Sequence, residues 1–151
     1  MTRPELKTAI LLSNAIPAGV AANSGIHLAT QFGATRQDIA GNPVSDQSGF
    51  CHSGLPVFPN VVLSVSPEKL RKAIHRAKRL ANDDELLILD YPEQGFTTST
   101  DEEYRTEIES ILEEDIVYYA ALIFGRRRFV DKALKGASAL LWNGASEELP
   151  A

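Results

Sequence analysis

Apolar positions along the chain follow two rhythms: short unbroken runs, and longer stretches with apolar residues three and four apart. The runs "LKTAILL" (6–12), "NVVLSV" (60–65), "ELLILD" (85–90) and "IVYYAALIF" (116–124) are bounded by turn residues or charge. Each predicts a buried strand, and the nine-residue run predicts a central one covered on both sides. Helical spacing fills the intervals. Val20, Ser24, Leu28 and Phe32 recur at i+4 steps between Pro17 and Gly33, with Pro17 at the first helical position. Leu70, Ala73, Ile74, Ala77, Leu80 and Ala81 form one stripe; Ser66 caps this helix, Pro67 opens it and Glu68 lies in its first turn.

The remaining segments are punctuated by turn chemistry. "GNPVSDQSGFCHSG" (41–54) predicts a hairpin or extended flap within residues 34–58. "YPEQGFTTST" (91–100) reads as a loop. It ends in Thr100 with Glu103 three residues on, a capping box for an acidic helix from Asp101 to about Glu113 that buries Tyr104, Ile108, Ile111 and Leu112. Gly125 turns the chain into a basic helix closed by Gly136, "ASALLW" (137–142) predicts a last edge strand, and the rest is a tail. Strands alternating with helices define an α/β protein. The expectation is a three-layer sandwich around a mostly parallel or mixed sheet of four to five strands.

With 151 residues the chain fits one domain, spanning 1–151 with an ordered core of about 6–142. The single cysteine, Cys51, excludes an internal disulfide framework and favours a cytoplasmic setting. The first apolar run is too short for a membrane span or a signal segment, so no membrane partner is expected. A net charge of −5 argues against nucleic acid as a main partner. Charge is uneven, however: residues 83–115 hold 13 of the 20 acidic residues and one base, Arg105. Basic stretches at 68–79 and 125–135 flank them; solvated helix faces are the leading reading, and a local anion-binding edge is the alternative that net charge does not exclude.

One short segment departs from this ordinary composition. "AGVAANSG" (18–25) places glycines and alanines on a helix otherwise patterned for the core. Glycine inside a helix costs about 1 kcal/mol against alanine, so Gly25 predicts close approach to another backbone. Asn23 and His27, one turn apart, are then expected to face a cleft and bind a ligand.

In such sheets ligands bind beyond the carboxyl ends of the strands. That rule selects Ser13 and Asn14, Ser66, Asp90 and Tyr91, Thr97 and Thr98, and Gly125 and Arg126. Asp90 and Thr98 are the catalytic candidates; Asn23, His27, Thr97 and Arg126 are the binding candidates. Capping and turn roles account for the same residue types. Cys51 and His52 are adjacent, and in a strand would point to opposite faces, so no thiol dyad is expected; a small buried hydrophobe suits Cys51 better. His75 falls on the basic face of its helix. The three histidines and one cysteine lack metal-ligand spacing, and no Gly-rich phosphate loop is present, so neither metal nor cofactor is expected.

"KTAILLSNAIPAGVAANSGIHLA", "IAGNPVSDQSG", "FTTSTDEEYR" and "GRRRFVDKALKGASALL", in that order from about Leu6 to Trp142, resemble the domain-of-unknown-function family 2000. That family is similar in fold to the type-2 peptidyl-tRNA hydrolases, which implies a sheet of their kind. Carried over residue by residue, the resemblance sets Asn23 at the glutamine of their helix start and Asp90 at their catalytic aspartate. It sets Thr97 or Thr98 at their loop threonine, and Asp131–Lys132 at their Asp-Lys pair. Gly19 stands where their catalytic lysine would be.

Three function classes follow: a small-molecule or substrate cleft near Asn23, Asp90 and Thr98; a hydrolase acting on peptidyl-tRNA or a related ester; and a non-catalytic interaction protein that works as a homo-oligomer, a homodimer being expected, through a sheet edge or the flap. The cleft reading leads, with the molecular function unassigned and enzymatic activity left open.

Overall fold

The computed structural model describes residues 5–81 and 86–135. Strand β1 (Leu6–Ser13) leads into helix α1 (Ala18–Thr35), and the arm that follows carries two short strands, β2 (Val44–Ser45) and β3 (Cys51–His52). Next come β4 (Asn60–Val65), α2 (Pro67–Leu80), β5 (Leu86–Pro92), α3 (Glu93–Thr97) and α4 (Asp101–Glu109). Strand β6 (Tyr118–Arg126) and helix α5 (Arg127–Ala133) complete the described chain, with short 3-10 turns at Gln37–Ile39 and Glu113–Asp115. Among the described residues the arm strands pair only with each other.

The main sheet has the order β4-β1-β6-β5. β1 and β4 are parallel, while β6 runs antiparallel to both β1 and β5. The sheet is therefore mixed. The cause is the connection from β5 to β6. Helices α3 and α4 stay at the end of the sheet where β5 finishes, so the chain enters β6 from that same end. The amide of Glu93 donates to the Val117 carbonyl at 2.8 Å, joining the exit of β5 to the entrance of β6. Parallel strands need a crossover across the sheet face; this link makes none.

Alternation along the strands sorts the core into two layers. On one face Ala9, Leu11, Leu63, Val65, Ala121 and Ile123 meet α2 and α5 through Leu70, Ala73, Ile74, Ala77, Val130 and Ala133. On the other, Leu28 and Phe32 of α1 pack on Ala120, Leu122, Phe124 and Tyr91. The α2 stripe is buried as its spacing predicts, and the Ser66 hydroxyl accepts from the Lys69 amide at 3.2 Å.

Several sequence expectations are corrected. Residues 91–100 are not one loop: Tyr91 and Pro92 extend β5, and 93–97 form α3. Helix α4 ends at Glu109, none of its side chains is fully buried, and Leu112 is 66% exposed. Strand β6 includes Gly125 and Arg126, so the basic helix begins at Arg127. The expected cap at Gly136 and edge strand at 137–142 lie outside the described residues. Gly25 is no backbone contact, since a Cβ there would meet only the Leu12 side chain, at 3.7 Å. Cys51 is exposed, not a buried hydrophobe, because the arm that carries it stands away from the core. No helix among the described residues is long and apolar enough to cross a membrane.

Candidate functional site

β5 is an edge strand, so its last residues reach both faces of the sheet at once. Asp90 projects toward α2, where Lys78 Nζ lies 3.3 Å from Oδ2. Tyr91, its neighbour, projects to the α1 side and stacks on His27, ring centroids 5.2 Å apart and planes at 28°. Pro92 then ends the strand and α3 folds back over Tyr91. That approach requires Gly95: a Cβ there would fall 2.7 Å from Tyr91 Cε2.

The segment after α3 is built from side-chain caps. Thr98 Oγ1 donates to the Gln94 carbonyl at 2.6 Å and closes α3. The Thr100 hydroxyl accepts from the Glu103 amide at 3.1 Å, and Glu103 Oε2 accepts from the Ser99 amide at 2.8 Å. This reciprocal cap is the one predicted from sequence, displaced by one residue on the return bond. It aims the first turn of α4, with Asp101, Tyr104 and Arg105, across the edge of β5.

These elements enclose an open cleft of about 630 Å³, lined by His27, Gln31, Asp90, Tyr91, Gly95 and Thr98 together with Thr100, Asp101, Tyr104 and Arg105. Asp101 and Arg105 form an i,i+4 ion pair at 2.7 Å. Burial pushes the Tyr104 phenol above its usual range, helped by the negative charge of Asp90. Burial acts the same way on Tyr91. Both phenols are thus protonated donors at neutral pH. The Tyr91 hydroxyl is buried with no partner among the described residues. No group of acidic, histidine and cysteine side chains suited to a metal occurs among them either.

Of the sequence candidates, Asp90, Thr98 and His27 share this cleft. Thr97, next to Thr98, is exposed and outside its lining. Asn23 is half-buried one turn before His27 and also lies outside it. Arg126 stands at the other end of the sheet, beside Leu6, Arg36 and Phe124, because β6 is antiparallel. Asp90 pairs with Ala121, and the five residues from there to Arg126 span about 17 Å of strand. Asp131 is bound to Lys7 at 2.6 Å on the α5 side. Cys51 and His52 sit on the arm, where His52 Nε2 contacts Asp46 Oδ2 at 2.9 Å. His75 contacts Glu113 at 2.8 Å, away from the cleft.

Sequence reasoning missed Lys78, Tyr104 and Arg105. Lys78 belongs to a basic helix face that reads as solvated, and Tyr104 occupies a helical core position. The capping box was the available signal, since it fixes where the first turn of α4 must point.

The fold defined by these elements is a layered α/β protein with a mixed four-stranded sheet and a polar cleft at one sheet edge. The chain belongs to the family described as protein of unknown function (DUF2000), whose model matches residues 6–141. Among solved structures it is similar to the protein of unknown function Atu0240 from Agrobacterium tumefaciens strain C58. The two are 24% identical with a TM-score of 0.77, over 89% of this chain and 97% of that one. No curated protein matches the chain.

Proposed function

We propose that this protein binds a small polar ligand in the cleft at the β5 edge, acting as a homodimer in a reducing, cytoplasmic setting. The observation that carries the reading is convergence: β5, α1, α3 and α4 bring carboxylate, hydroxyl, guanidinium and imidazole groups onto one cleft. Its volume lies within the range of small-molecule sites, of the order of 300–1,000 Å³. Asp90 supplies an acceptor, Tyr104 and Arg105 supply donors, and the His27–Tyr91 stack offers a flat wall. The exposed free thiol of Cys51 is in keeping with the compartment.

Native mass spectrometry of freshly purified protein, followed by denaturation of the same sample, tests this. A released polar molecule is expected, with occupancy at least tenfold lower in Asp90→Asn. A bare wild-type protein, or an undiminished molecule in the variant, overturns the reading.

A second reading, ester hydrolysis of the type-2 peptidyl-tRNA hydrolase kind, is favoured by the meeting of Asp90 and Thr98. Charge counts against it. Gly19 carries no cation, Arg126 lies at the far end of the sheet, and Lys132 is on α5 across the sheet from α1. The cation beside Asp90 is Lys78, reaching from α2. An ammonium at the reacting group would be worth several kcal/mol in a dry site, and Lys78 is half exposed. Cleavage of an N-acetylaminoacyl-tRNA by the wild-type protein, lost in Asp90→Asn, would establish this reading over the first.

A further inference from the structure

The two edges of the sheet differ in kind. β5 is guarded: Pro92 ends it, its pairing is irregular between Tyr91 and Pro92, and α3 and α4 stand beside it. β4, "NVVLSV", has no guard. It contains no charge and no proline, and its register with β1 is unbroken from Asn60 to Val65. Proteins that keep sheet edges apart use charges, prolines, bulges or covering elements. β4 has none of the first three.

Its α1-side face is also open. α1 lies over β6 and β5 more than over β4, leaving an apolar groove of about 480 Å³ between the helix and the edge. Ile10, Leu12, Ile16, Gly25, Ile26 and Val62 line it, and no charged residue does. Ile26 is 64% exposed and Val62 43%. The small residues of "AGVAANSG" form the helix wall of this groove, and that is what their size achieves.

The same chain carries an apolar element with nowhere to go. The arm between α1 and β4 is firmly built. Asp46 accepts from the Ser48 and Phe50 amides, and Gly49 takes the positive φ its turn needs. Gly41 and Leu55 close its foot. Yet the arm leaves Val44, Phe50, Leu55 and Val57 largely exposed.

We propose that a second copy of the chain covers both features, with β4 pairing antiparallel to its counterpart and the arm of each copy lying against the groove of the other. The location of the interface rests on the homodimer reading given above. Geometry favours the exchange. Each arm is rooted at the start of β4, where Phe58 packs on Phe124 on the α1 face. A two-fold axis normal to the sheet keeps both α1 helices on one side and sets the start of one β4 beside the end of the other. The foot of each arm then stands at the mouth of the partner groove, near Ser13, Asn14 and Ser64. Such an interface is isologous, the commonest kind in oligomers. Ile26, Val44, Phe50, Leu55, Val57 and Val62 are each 43–79% exposed, so groove and arm together offer a second copy a broad apolar surface to cover.

Light scattering on the full chain at micromolar to hundred-micromolar concentration tests this. A mass of twice 16.5 kDa is expected for the wild type. Val62→Lys, at the edge, and the arm double variant Phe50→Ser with Leu55→Ser are each expected to raise the dimer dissociation constant at least a hundredfold. All three positions are exposed, and circular dichroism checks that the variants remain folded. A monomeric wild type overturns both the dimer and its location. A dimer that survives either variant leaves the dimer standing and overturns this interface.

Discussion

Lys78 Nζ stands 3.3 Å from Asp90 Oδ2, so the central carboxylate of the cleft is held by a cation from a helix that does not line it. The pair crosses the edge of the sheet from the α2 side, and Asp90 lines the cleft together with Asp101, Tyr104 and Arg105 of α4. Both side chains are partly exposed, at 51% and 30%. Such pairs contribute about 0–1 kcal/mol to stability. Lys78→Met and Asp90→Asn should each shift urea unfolding by less than about 1 kcal/mol. Asp90→Asn should nevertheless lower ligand retention at least tenfold in native mass spectrometry. A large loss of stability in both would make the pair a structural tie and not a site.

Thr100 sets the direction of α4. Thr100→Ala removes the acceptor for the Glu103 amide, and loss of such a cap costs about 1 kcal/mol. The expected outcome is that loss in urea unfolding, together with faster amide exchange at Glu103 and Tyr104. Unchanged exchange there would mean that the cap does not hold the cleft wall.

Thr8 lies in the central strand β1, 1% exposed, with a hydroxyl that has no partner among the described residues. A buried unpaired polar group costs on the order of 1–3 kcal/mol. Thr8→Val keeps the shape and removes the hydroxyl, and is expected to raise stability by about 1 kcal/mol. Chemical denaturation reads the effect, and a loss would show that the hydroxyl is satisfied in solution.

Gly54 and Gly41 meet back to back at the foot of the arm. A Cβ on Gly54 would fall 2.1 Å from the Gly41 carbonyl oxygen. Gly54→Ala must therefore part the two backbone segments at the foot of the arm. The Gly41 and Val57 amides, which donate to Leu55 and Ile39, should lose protection in hydrogen exchange. The sheet should keep its own protection, since the arm strands make their principal contacts with each other.

Glu113 collects three donors, Arg71, His75 and the Tyr118 hydroxyl. The His75 ring beside it, foremost, holds its carboxyl below the usual carboxylate range. A carboxyl depressed on folding stabilises the fold above its unfolded pKa of about 4.3, and that contribution fades as pH falls through the lower folded value. Stability measured from pH 6 to pH 3 should therefore fall less steeply in Glu113→Gln than in the wild type. Equal slopes would remove Glu113 from the acid response.

Much of this architecture is legible in the chain. Ser66-Pro67-Glu68 announces α2 and the apolar stripe gives its buried face, because capping and periodicity are local. Asp90 and Thr98 could be brought together by the rule that sites gather at strand ends, and His27 by its place on the first helix. Arg126 obeyed the same rule and was misplaced, because strand direction is a non-local property set by the path of residues 93–117. The groove was invisible for a related reason. "AGVAANSG" shows small side chains, but whether they face a sheet, a helix or an open slot depends on how far α1 shifts toward β6.

The antiparallel strand at the centre also fixes when the fold can form. β6 is the last strand of the described chain, yet it joins β1, the first, to β5, which pairs with no other strand of the main sheet. A chain emerging from synthesis can pair β1 with β4 early, but the sheet closes only once Arg126 has cleared. Contacts between such distant segments are slow to form and leave apolar surface waiting. Assembly of this protein is thus governed by its final third, and any truncation before Tyr118 removes the strand that makes one sheet out of two separate pieces.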